Sequence, residues 1–254
     1  MSHVPLNAIK ISQALANTYP RVKVITETTS TQTEISQIFS PLQPFDLLVT
    51  EYQSQGRGRL NRTFSAPPST SLLFSFYLQP DRNKNEWGVL PIVMGHAVAE
   101  SLRQFTGLSI QTKWPNDVLI NEKENGEKKI AGILCEVRDH GIIVGIGINV
   151  NIDTVDLPVP TATSLSIHMG AIVDRDELLI SIANEIRSQY EIWESSQSSI
   201  SNFISHSATL DKKVRLELTN GEVKEGIVAA INHDGSLTLT SGERFTVADV
   251  THLR

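Results

Sequence analysis

The chain has 254 residues, of which 40% are hydrophobic and 20% charged, and its formal net charge at pH 7 is -6. These values predict one or two folded domains and exclude an intrinsically disordered chain, while the negative charge argues against a nucleic-acid-binding protein. No long apolar run is present, so we expect neither a signal peptide nor a membrane span. The single cysteine, Cys135, cannot form an internal disulfide, and a reducing, cytoplasmic compartment is expected.

Apolar periodicity predicts strands and helices before residue 195. A short helical segment is predicted at 1–23. Strands are predicted where apolar residues run together or alternate, at 22–25, 45–52, 71–78, 108–114, 117–121, 130–137 and 142–150. Helices are predicted at 31–39, 88–105 and 176–194.

Three connections carry further local signals. The spacing of Thr31 and Glu34 is that of a capping box, with Thr31 as the residue that begins the helix. Residues 53–70 contain no acid and predict a long loop, which in a compact domain is usually functional or disordered. Asn125-Gly126 predicts a hairpin turn within a charged connection that ends at Lys129.

The pattern changes after a serine-rich stretch at 195–208. Asn220-Gly221 and Asp234-Gly235 are turn signals between segments in which apolar and polar residues alternate, which predicts a small antiparallel β unit. We therefore divide the chain into a main domain, 1–208, and a C-terminal domain, 209–254. The second domain is small for independent stability and is expected to pack on the first.

Several common sites are absent from the sequence. No glycine is followed by lysine, which excludes a P-loop, and no Gly-x-Ser-x-Gly elbow occurs. The seven histidines include no pair at metal-binding spacing. We interpret His96, in the predicted apolar helix, as a satisfied core or edge histidine, and Cys135 as a small buried hydrophobic residue.

The acid-free loop carries the first of four polar clusters. Its glycines and arginines are Gly56, Arg57, Gly58, Arg59 and Arg62. Glycine lets backbone N–H groups approach an anion closely, and arginine binds phosphate or carboxylate through a rigid fork. A solvated basic turn is the alternative interpretation.

The second cluster lies where Pro115 breaks a strand. Lys113 could face a phosphate there, Asp117 could hold Mg²⁺, and Asn116 adds an amide. A surface turn with a structural Trp114 is the alternative.

The third and fourth clusters lie in apolar strands. Lys129 enters an apolar strand, and Gly132 in that strand indicates close approach of a ligand or another backbone. The alternative is a lysine that merely flanks the strand. Asn149 and Asn151 follow Gly147 at the end of the next strand, where a strand-terminating turn is the alternative.

In this order, the motifs resemble the biotin protein ligases. The motifs that carry the resemblance are Ser30-Thr31-Gln32, Gln53, Gly-Arg-Gly-Arg at 56–59, Lys-Trp-Pro-Asn-Asp at 113–117, Lys-x-Ala-Gly-Ile-Leu at 129–134 and Gly-Ile-Asn at 147–149. The C-terminal β unit, ending in Val-Thr-His-Leu-Arg at 250–254, is similar to the family's SH3-like domain.

The sequence departs from the family pattern at three loop positions and at its start. Leu60 and Asn61 stand where many relatives have a basic residue and a glycine, and Phe64 replaces a common tryptophan. These differences concern the path of the loop but leave Arg57 and Arg59 in place. Bifunctional members carry an N-terminal helix-turn-helix domain, which the roughly twenty residues before the core cannot form. We therefore expect the monofunctional type, without DNA binding.

The resemblance implies an α+β fold, with a mixed sheet and helices related to class II aminoacyl-tRNA synthetase cores, plus the SH3-like β-barrel. It implies an ATP-dependent ligase that forms biotinyl-5′-adenylate, with Mg²⁺, and transfers biotin to a lysine of a biotin carboxyl carrier domain of acetyl-CoA carboxylase or a related carboxylase. It implies no DNA or membrane partner, and a monomer or a homodimer. A lipoate–protein ligase and a non-catalytic biotin-binding regulator are the alternatives.

The resemblance also implies residue roles. The biotin-binding residues would be Ser30, Thr31, Gln32, Gln53, Arg57, Gly58, Arg59, Lys129 and Gly132. The ATP- and adenylate-binding residues would be Gly56, Arg57, Arg59, Arg62, Lys113, Asn116 and Asn149. The residues closest to the chemistry would be Lys113, Asp117, Lys129 and Arg59, with Asp117 as a ligand of Mg²⁺.

Overall fold

The structure, a computed structural model, describes residues 4–122, 126–195 and 199–253. Asn125 of the predicted hairpin turn and Arg254 of the C-terminal motif lie outside the described residues. The described chain contains a mixed sheet with helices and a separate small antiparallel sheet, so the predicted α+β class is confirmed.

A seven-stranded sheet forms the larger unit. Its strands are β1 (Val22–Thr28), β2 (Leu47–Gln53), β3 (Ser71–Leu78), β4 (Ile110–Lys113), β5 (Asp117–Glu122), β6 (Gly126–Arg138) and β7 (Gly141–Asn149). Their spatial order is β1-β2-β3-β7-β6-β5-β4. Among the described strands β1 and β2 pair in parallel and their neighbours pair antiparallel, which makes the sheet mixed.

Helices cover both faces of this sheet. They are α1 (Ala8–Leu15), α2 (Thr31–Ile38), α3 (Leu90–Thr106), α4 (Leu165–Met169), α5 (Arg175–Glu194) and α6 (Ile200–Ile204). The apolar faces of α3 and α5 pack together and contribute to the main core. On the opposite face α2 covers a small cluster that includes Ile35 and Ile143. None of the described helices is both long enough and apolar enough to cross a membrane.

The start of α2 differs from the predicted capping box. Ser30, not Thr31, is the residue before the first helical turn, and Thr31 lies within the helix. The Glu34 carboxylate accepts a hydrogen bond from the Thr29 hydroxyl at 2.9 Å instead of closing a box. The reason is tertiary: the Thr31 N–H and hydroxyl are both taken by Gln53 on the neighbouring strand.

Lys129 lies inside β6 and does not merely flank a strand. The strand begins at Gly126, four residues before the predicted start at 130, because residues 126–129 pair with β5. Leu119 is the partner of Lys129 in this ladder. The pleat places alternate residues on opposite faces, so Lys129 and its neighbour Lys128 project to opposite sides.

His96 is buried in α3, but it is not the satisfied histidine that the sequence predicts. Its Nδ1 atom has no hydrogen-bond partner in the described part of the chain, and its ring packs edge-on against Phe203. Burial, with a smaller contribution from Arg103, lowers the pKa of His96 to about 4. The imidazole is therefore neutral in the folded protein at neutral pH.

This histidine predicts a loss of stability in acid. Because its folded pKa lies below the unfolded value, the unfolded chain takes up a proton first, and stability falls as the pH drops from about 6.5 towards 4. The expected contribution is about 3 kcal/mol of unfolding free energy. Urea unfolding of the native chain and of His96→Leu at pH 7 and pH 4.5 measures it. Equal pH dependence in both proteins contradicts the prediction.

The C-terminal residues form a five-stranded antiparallel sheet. Its strands are β8 (Lys213–Glu217), β9 (Val223–Ile231), β10 (Leu237–Leu239), β11 (Arg244–Phe245) and β12 (Asp249–His252), in the order β11-β10-β9-β8-β12. The two predicted Asx-Gly turns are present, with positive φ angles of 84° at Gly221 and 83° at Gly235 that glycine adopts without strain.

This sheet packs against the larger unit, as its size leads one to expect. Its apolar side chains belong to the same core cluster as those of α3 and α5. Trp114, at the end of β4, is 3% exposed, and its indole N–H donates to the Gly235 carbonyl at 2.8 Å. Trp114 is therefore structural, in agreement with the alternative interpretation of its motif. The turn that follows it, however, faces a cavity.

Candidate active site

A cavity of about 310 Å³ lies beside α2 on the face of the large sheet opposite the main core. The sequence-predicted site residues line it, with the exception of Gly56 and Asn149. The predicted residues in the lining are Ser30, Thr31, Gln32, Gln53, Arg57, Gly58, Arg59, Arg62, Lys113, Asn116, Asp117, Lys129 and Gly132.

A network of uncharged polar side chains forms one end of the cavity. The Gln53 Oε1 atom accepts hydrogen bonds from the Thr31 N–H at 2.7 Å and from the Thr31 hydroxyl at 3.1 Å. Ser75 Oγ lies 2.8 Å from Thr31 Oγ1 and donates to Gln32 Oε1 at 3.2 Å. These contacts hold the polar side chains in place before any ligand binds.

The Ser30 hydroxyl lies beside this network without a partner. Ser30 is 2% exposed, and its Oγ atom makes no hydrogen bond within the described chain. A buried polar group without a partner is costly, so this hydroxyl suits a ligand that brings its own hydrogen-bonding atom.

Glycines form the floor of the cavity. Gly145 and Gly147 lie on the cavity face of β7, and Gly132 of β6 is the register partner of Gly147. A Cβ atom on Gly145 would lie 2.4 Å from Gln32 Oε1, and one on Gly147 would lie 2.7 Å from the Phe64 ring. The absence of side chains at these positions makes room for Gln32, Phe64 and the cavity.

Gly145→Ala is expected to weaken ligand binding at the polar end. The added methyl group must displace the Gln32 amide, which donates to the Ile143 carbonyl at 3.0 Å. We expect a loss of affinity for biotin, the ligand that the motif resemblance implies, of roughly tenfold or more, the effect of one disturbed buried hydrogen bond. Isothermal titration with biotin measures it.

Gly95→Ala in α3 is the matched control, because its Cβ would lie 3.7 Å from the nearest atom. Unchanged biotin affinity in Gly145→Ala contradicts the proposed role of the floor.

The loop at 56–64, here called the arginine loop, is tied to three separate elements. Its contacts are Arg57 to Glu136 on β6, Arg59 to Asn116 in the β4–β5 turn, and Arg62 to Asp249 on β12. The Arg57 contact has two hydrogen bonds, of 2.6 and 3.0 Å, and the Arg59 contact one of 3.0 Å. These contacts connect the loop to the rest of the protein, while the Arg57 and Arg62 side chains remain 48% and 68% exposed.

The arginine loop contains one residue in the left-handed region and one close backbone contact. Leu60 adopts a positive φ of 52°. Gly56 lies outside the cavity lining and is packed against the loop's own backbone, since a Cβ there would lie 2.2 Å from the Phe64 carbonyl oxygen. Gly56 thus shapes the loop.

Cationic side chains form the other end of the cavity. The Lys129 ammonium lies 2.5 Å from Asp117 Oδ1. The Lys113 ammonium forms neither a hydrogen bond nor an ion pair with any described residue, and burial lowers its pKa, against the opposing effect of Asp117. Burial also lowers the pKa of Arg59. A desolvated cation without a partner favours an anionic ligand.

The two asparagines at the end of β7 hold the backbone. The Asn149 amide donates to the Thr163 carbonyl at 3.0 Å, and Asn149 is 5% exposed outside the cavity lining. Asn151 makes two hydrogen bonds with the Val173 backbone, each of 2.9 Å. Both arrangements match the alternative of a strand-terminating structure.

Sequence reasoning missed several residues of the cavity. Ser75 is a polar residue within an apolar strand, and its position on the cavity face could have identified it. The C-terminal sheet contributes Arg215, Glu217, Asp249 and Thr251 to the lining. No local pattern marks these four, because they reach the cavity only through the packing of the two sheets.

The chain matches the biotin/lipoate A/B protein ligase family over residues 22–153. It is 30% identical over 220 residues to the biotin–[acetyl-CoA-carboxylase] ligase of Mycobacterium tuberculosis. The aligned residues cover 82% of this chain and 79% of the relative. It is 28% identical over 228 residues to the bifunctional ligase/repressor BirA of Escherichia coli, covering 86% of this chain and 68% of the relative.

The fold is also similar to solved structures. The biotin protein ligase from Aquifex aeolicus in complex with biotin and ATP superposes with a TM-score of 0.78 at 28% identity, covering 93% of this chain and all of that one (100%). A Helicobacter pylori biotin acetyl coenzyme A carboxylase synthetase shares the fold, with a TM-score of 0.62 at 20% identity, covering 89% of this chain and 98% of that chain.

Proposed function

Because the chain belongs to the biotin/lipoate A/B protein ligase family, we propose that its cavity binds biotin and ATP, forms biotinyl-5′-adenylate and transfers biotin to a lysine of an acceptor protein. The observation that carries the proposal is the polarity of the cavity. A preorganised uncharged network lies at one end, and an unpaired lysine and an ion-paired lysine lie at the other.

The uncharged end suits the fused rings of biotin. Their ureido group offers both donors and an acceptor, for which the unpartnered Ser30 hydroxyl and the amide NH₂ group of Gln53, whose oxygen Thr31 occupies, are available. The glycine floor leaves space for the aliphatic chain. The biotin carboxylate would then lie towards Lys129, with Gly132 beside it.

The first step joins two anions. An oxygen of the biotin carboxylate attacks the α-phosphorus of ATP, the bond to the bridging oxygen breaks, and pyrophosphate leaves. Lys129 would hold the carboxylate, and Lys113, with Arg59, would bind phosphate oxygens. These side chains hold the reactants together and stabilise the charge that develops at phosphorus.

In the second step the acceptor's lysine amine attacks the acyl carbon of the adenylate. An amide forms, AMP leaves, and the amine loses a proton. The arginine loop would retain the adenylate until the acceptor arrives.

Asp117 fits a supporting role towards Mg²⁺. The described residues contain no group of three or more side chains that could hold a metal by themselves. Mg²⁺ commonly needs only one or two carboxylates when substrate phosphates supply its other ligands. Asp117 lines the cavity beside Lys113 and Lys129 and would supply such a carboxylate. The ion would neutralise phosphate charge.

We further propose a biotin carboxyl carrier domain as the acceptor, by similarity to the acetyl-CoA-carboxylase ligase, and a cytoplasmic location, on the basis of the single cysteine. Residues 1–208 would form the catalytic domain and 209–254 the C-terminal domain. The cavity lining contributed by β8 and β12 supports a role of the second domain in the site.

The test is transfer of radiolabelled biotin to a purified carrier domain with ATP and Mg²⁺, with labelled lipoate in a parallel reaction. We expect ATP-dependent label from biotin on the carrier lysine and none from lipoate. Label from lipoate alone supports the lipoate ligase, and biotin binding without pyrophosphate release supports a non-catalytic regulator.

A further inference from the structure

A chain of hydrogen-bonding groups connects the C-terminal sheet to the peptide between Lys113 and Trp114. The Trp114 N–H donates to Thr209 Oγ1 at 3.0 Å, and Thr209 Oγ1 lies 3.1 Å from His252 Nε2. His252 Nδ1 lies 2.6 Å from Glu127 Oε2. Thr209 is fully buried and the His252 side chain is 11% exposed, so water competes little for these groups.

With a neutral imidazole, the donors and acceptors of these four groups allow one arrangement of protons. Thr209 Oγ1 accepts from the Trp114 N–H, and its single hydrogen is then free for His252 Nε2. The ring proton is therefore on Nδ1 and is donated to the Glu127 carboxylate, which can only accept when ionised. In agreement, the hydrogen bond from His252 lowers the pKa of Glu127.

On the edge of β4 that faces residues 206–208, backbone hydrogen bonds end at Thr112, and the Trp114 N–H bonds to a side chain instead. Residues 206–208 run parallel to β4, with the Thr112 N–H donating to the His206 carbonyl at 3.0 Å. The Ala208 N–H then donates to the Thr112 carbonyl at 2.8 Å. At the next N–H on this edge, that of Trp114, the Thr209 side chain replaces the backbone as partner.

We infer that His252 is a positioning residue for adenylate formation, acting through Thr209 to hold the Lys113–Trp114 peptide so that the Lys113 ammonium meets the nucleotide phosphates. His252 itself does not line the cavity. The inference rests on the proposed function. The uncharged end of the cavity is built from other elements, so ATP use depends on His252 and biotin binding does not.

Two substitutions at His252 separate its hydrogen bond with Thr209 from its hydrogen bond with Glu127. A glutamine amide oxygen reaches the position of Nε2 and can accept from Thr209, whereas an asparagine reaches only the position of Nδ1. We expect His252→Asn and Thr209→Val to raise KM for ATP in pyrophosphate release roughly tenfold, the effect of one lost buried hydrogen bond. His252→Gln and Thr209→Ser should stay near the native value, and all four should keep the native Kd for biotin.

His233→Asn is the matched control, because His233 is an exposed histidine of the same C-terminal unit. The native protein in this assay tests the proposed function separately: without pyrophosphate release there, the ligase function is rejected. An active native protein with unchanged KM for ATP in His252→Asn and Thr209→Val rejects the positioning role. Parallel losses of ATP and biotin affinity, or equal losses in the glutamine and asparagine variants, indicate a merely structural role and overturn it as well. If His252→Asn does not fold, the near-isosteric Thr209→Val decides.

Discussion

Lys129→Ala is expected to abolish adenylate formation while the protein stays folded. Removing the ammonium takes a cation from the place where the biotin carboxylate and the α-phosphate must meet. It also leaves the Asp117 carboxylate, 2.5 Å from the lost group, without its cationic partner. The loss of one preorganised charged group at a reacting centre predicts a fall in pyrophosphate release of at least about a hundredfold.

The expected effect on stability is small. The Lys129 side chain is 40% exposed, and an ion pair that water reaches contributes about 0–1 kcal/mol. The melting temperature of Lys129→Ala should therefore stay close to the native value. Lys128→Ala is the matched control, because the Lys128 ammonium projects away from the cavity and contacts the Pro160 carbonyl. Native rates of pyrophosphate release in Lys129→Ala would refute the role of this lysine.

Arg59→Gly is expected to release the adenylate before transfer. Arg59 is the arginine of the loop that binds the β4–β5 turn, through its 3.0 Å hydrogen bond to Asn116 Oδ1. A lost hydrogen bond to a charged group predicts roughly ten- to hundredfold faster adenylate escape. Free adenylate acylates lysines without enzyme, so bystander proteins become labelled. Biotin blots of serum albumin incubated with enzyme and ATP measure this.

Two further variants separate the guanidinium from general effects. Arg59→Ala should label bystanders like Arg59→Gly, because the lost side chain, not added backbone freedom, opens the loop. Arg138→Gly removes an exposed arginine at the end of β6, outside the cavity lining, and should keep label confined to the acceptor. Acceptor-confined labelling by both Arg59 variants would contradict the retention role of the arginine loop.

Elements with strong periodicity could be predicted from the sequence nearly to the residue. The strand predicted at 71–78 is β3, Ser71–Leu78, and the helix predicted at 176–194 is α5, Arg175–Glu194. Each of these elements buries one apolar face or two, and the spacing of apolar residues along the chain indicates such faces directly. The capping box at Thr31 and the strand start at 130 were wrong because a tertiary partner, Gln53 or β5, took over backbone groups that a local rule assigns to a cap or a turn.

The candidate site, too, could be predicted from the sequence only in part. Motif order identified the polar residues that reach the cavity, because such motifs name side-chain chemistry. It could not identify which cations have partners: Lys129 is paired with Asp117, whereas Lys113, four positions before Asp117, is unpaired among the described residues. Pairing depends on distances of a few ångströms between side chains, which spacing along the chain does not encode.

The sequence alone therefore determined the class of fold, the family and the chemical groups available for catalysis, since apolar periodicity and motif composition are local properties of the chain. Only the tertiary structure decided that β12 borders the cavity, that the Ser30 hydroxyl is buried without a partner, and that His252 connects to the Lys113–Trp114 peptide. These features arise where residues far apart in the chain pack together, and the free energy that holds them there comes from the shared core of the two sheets.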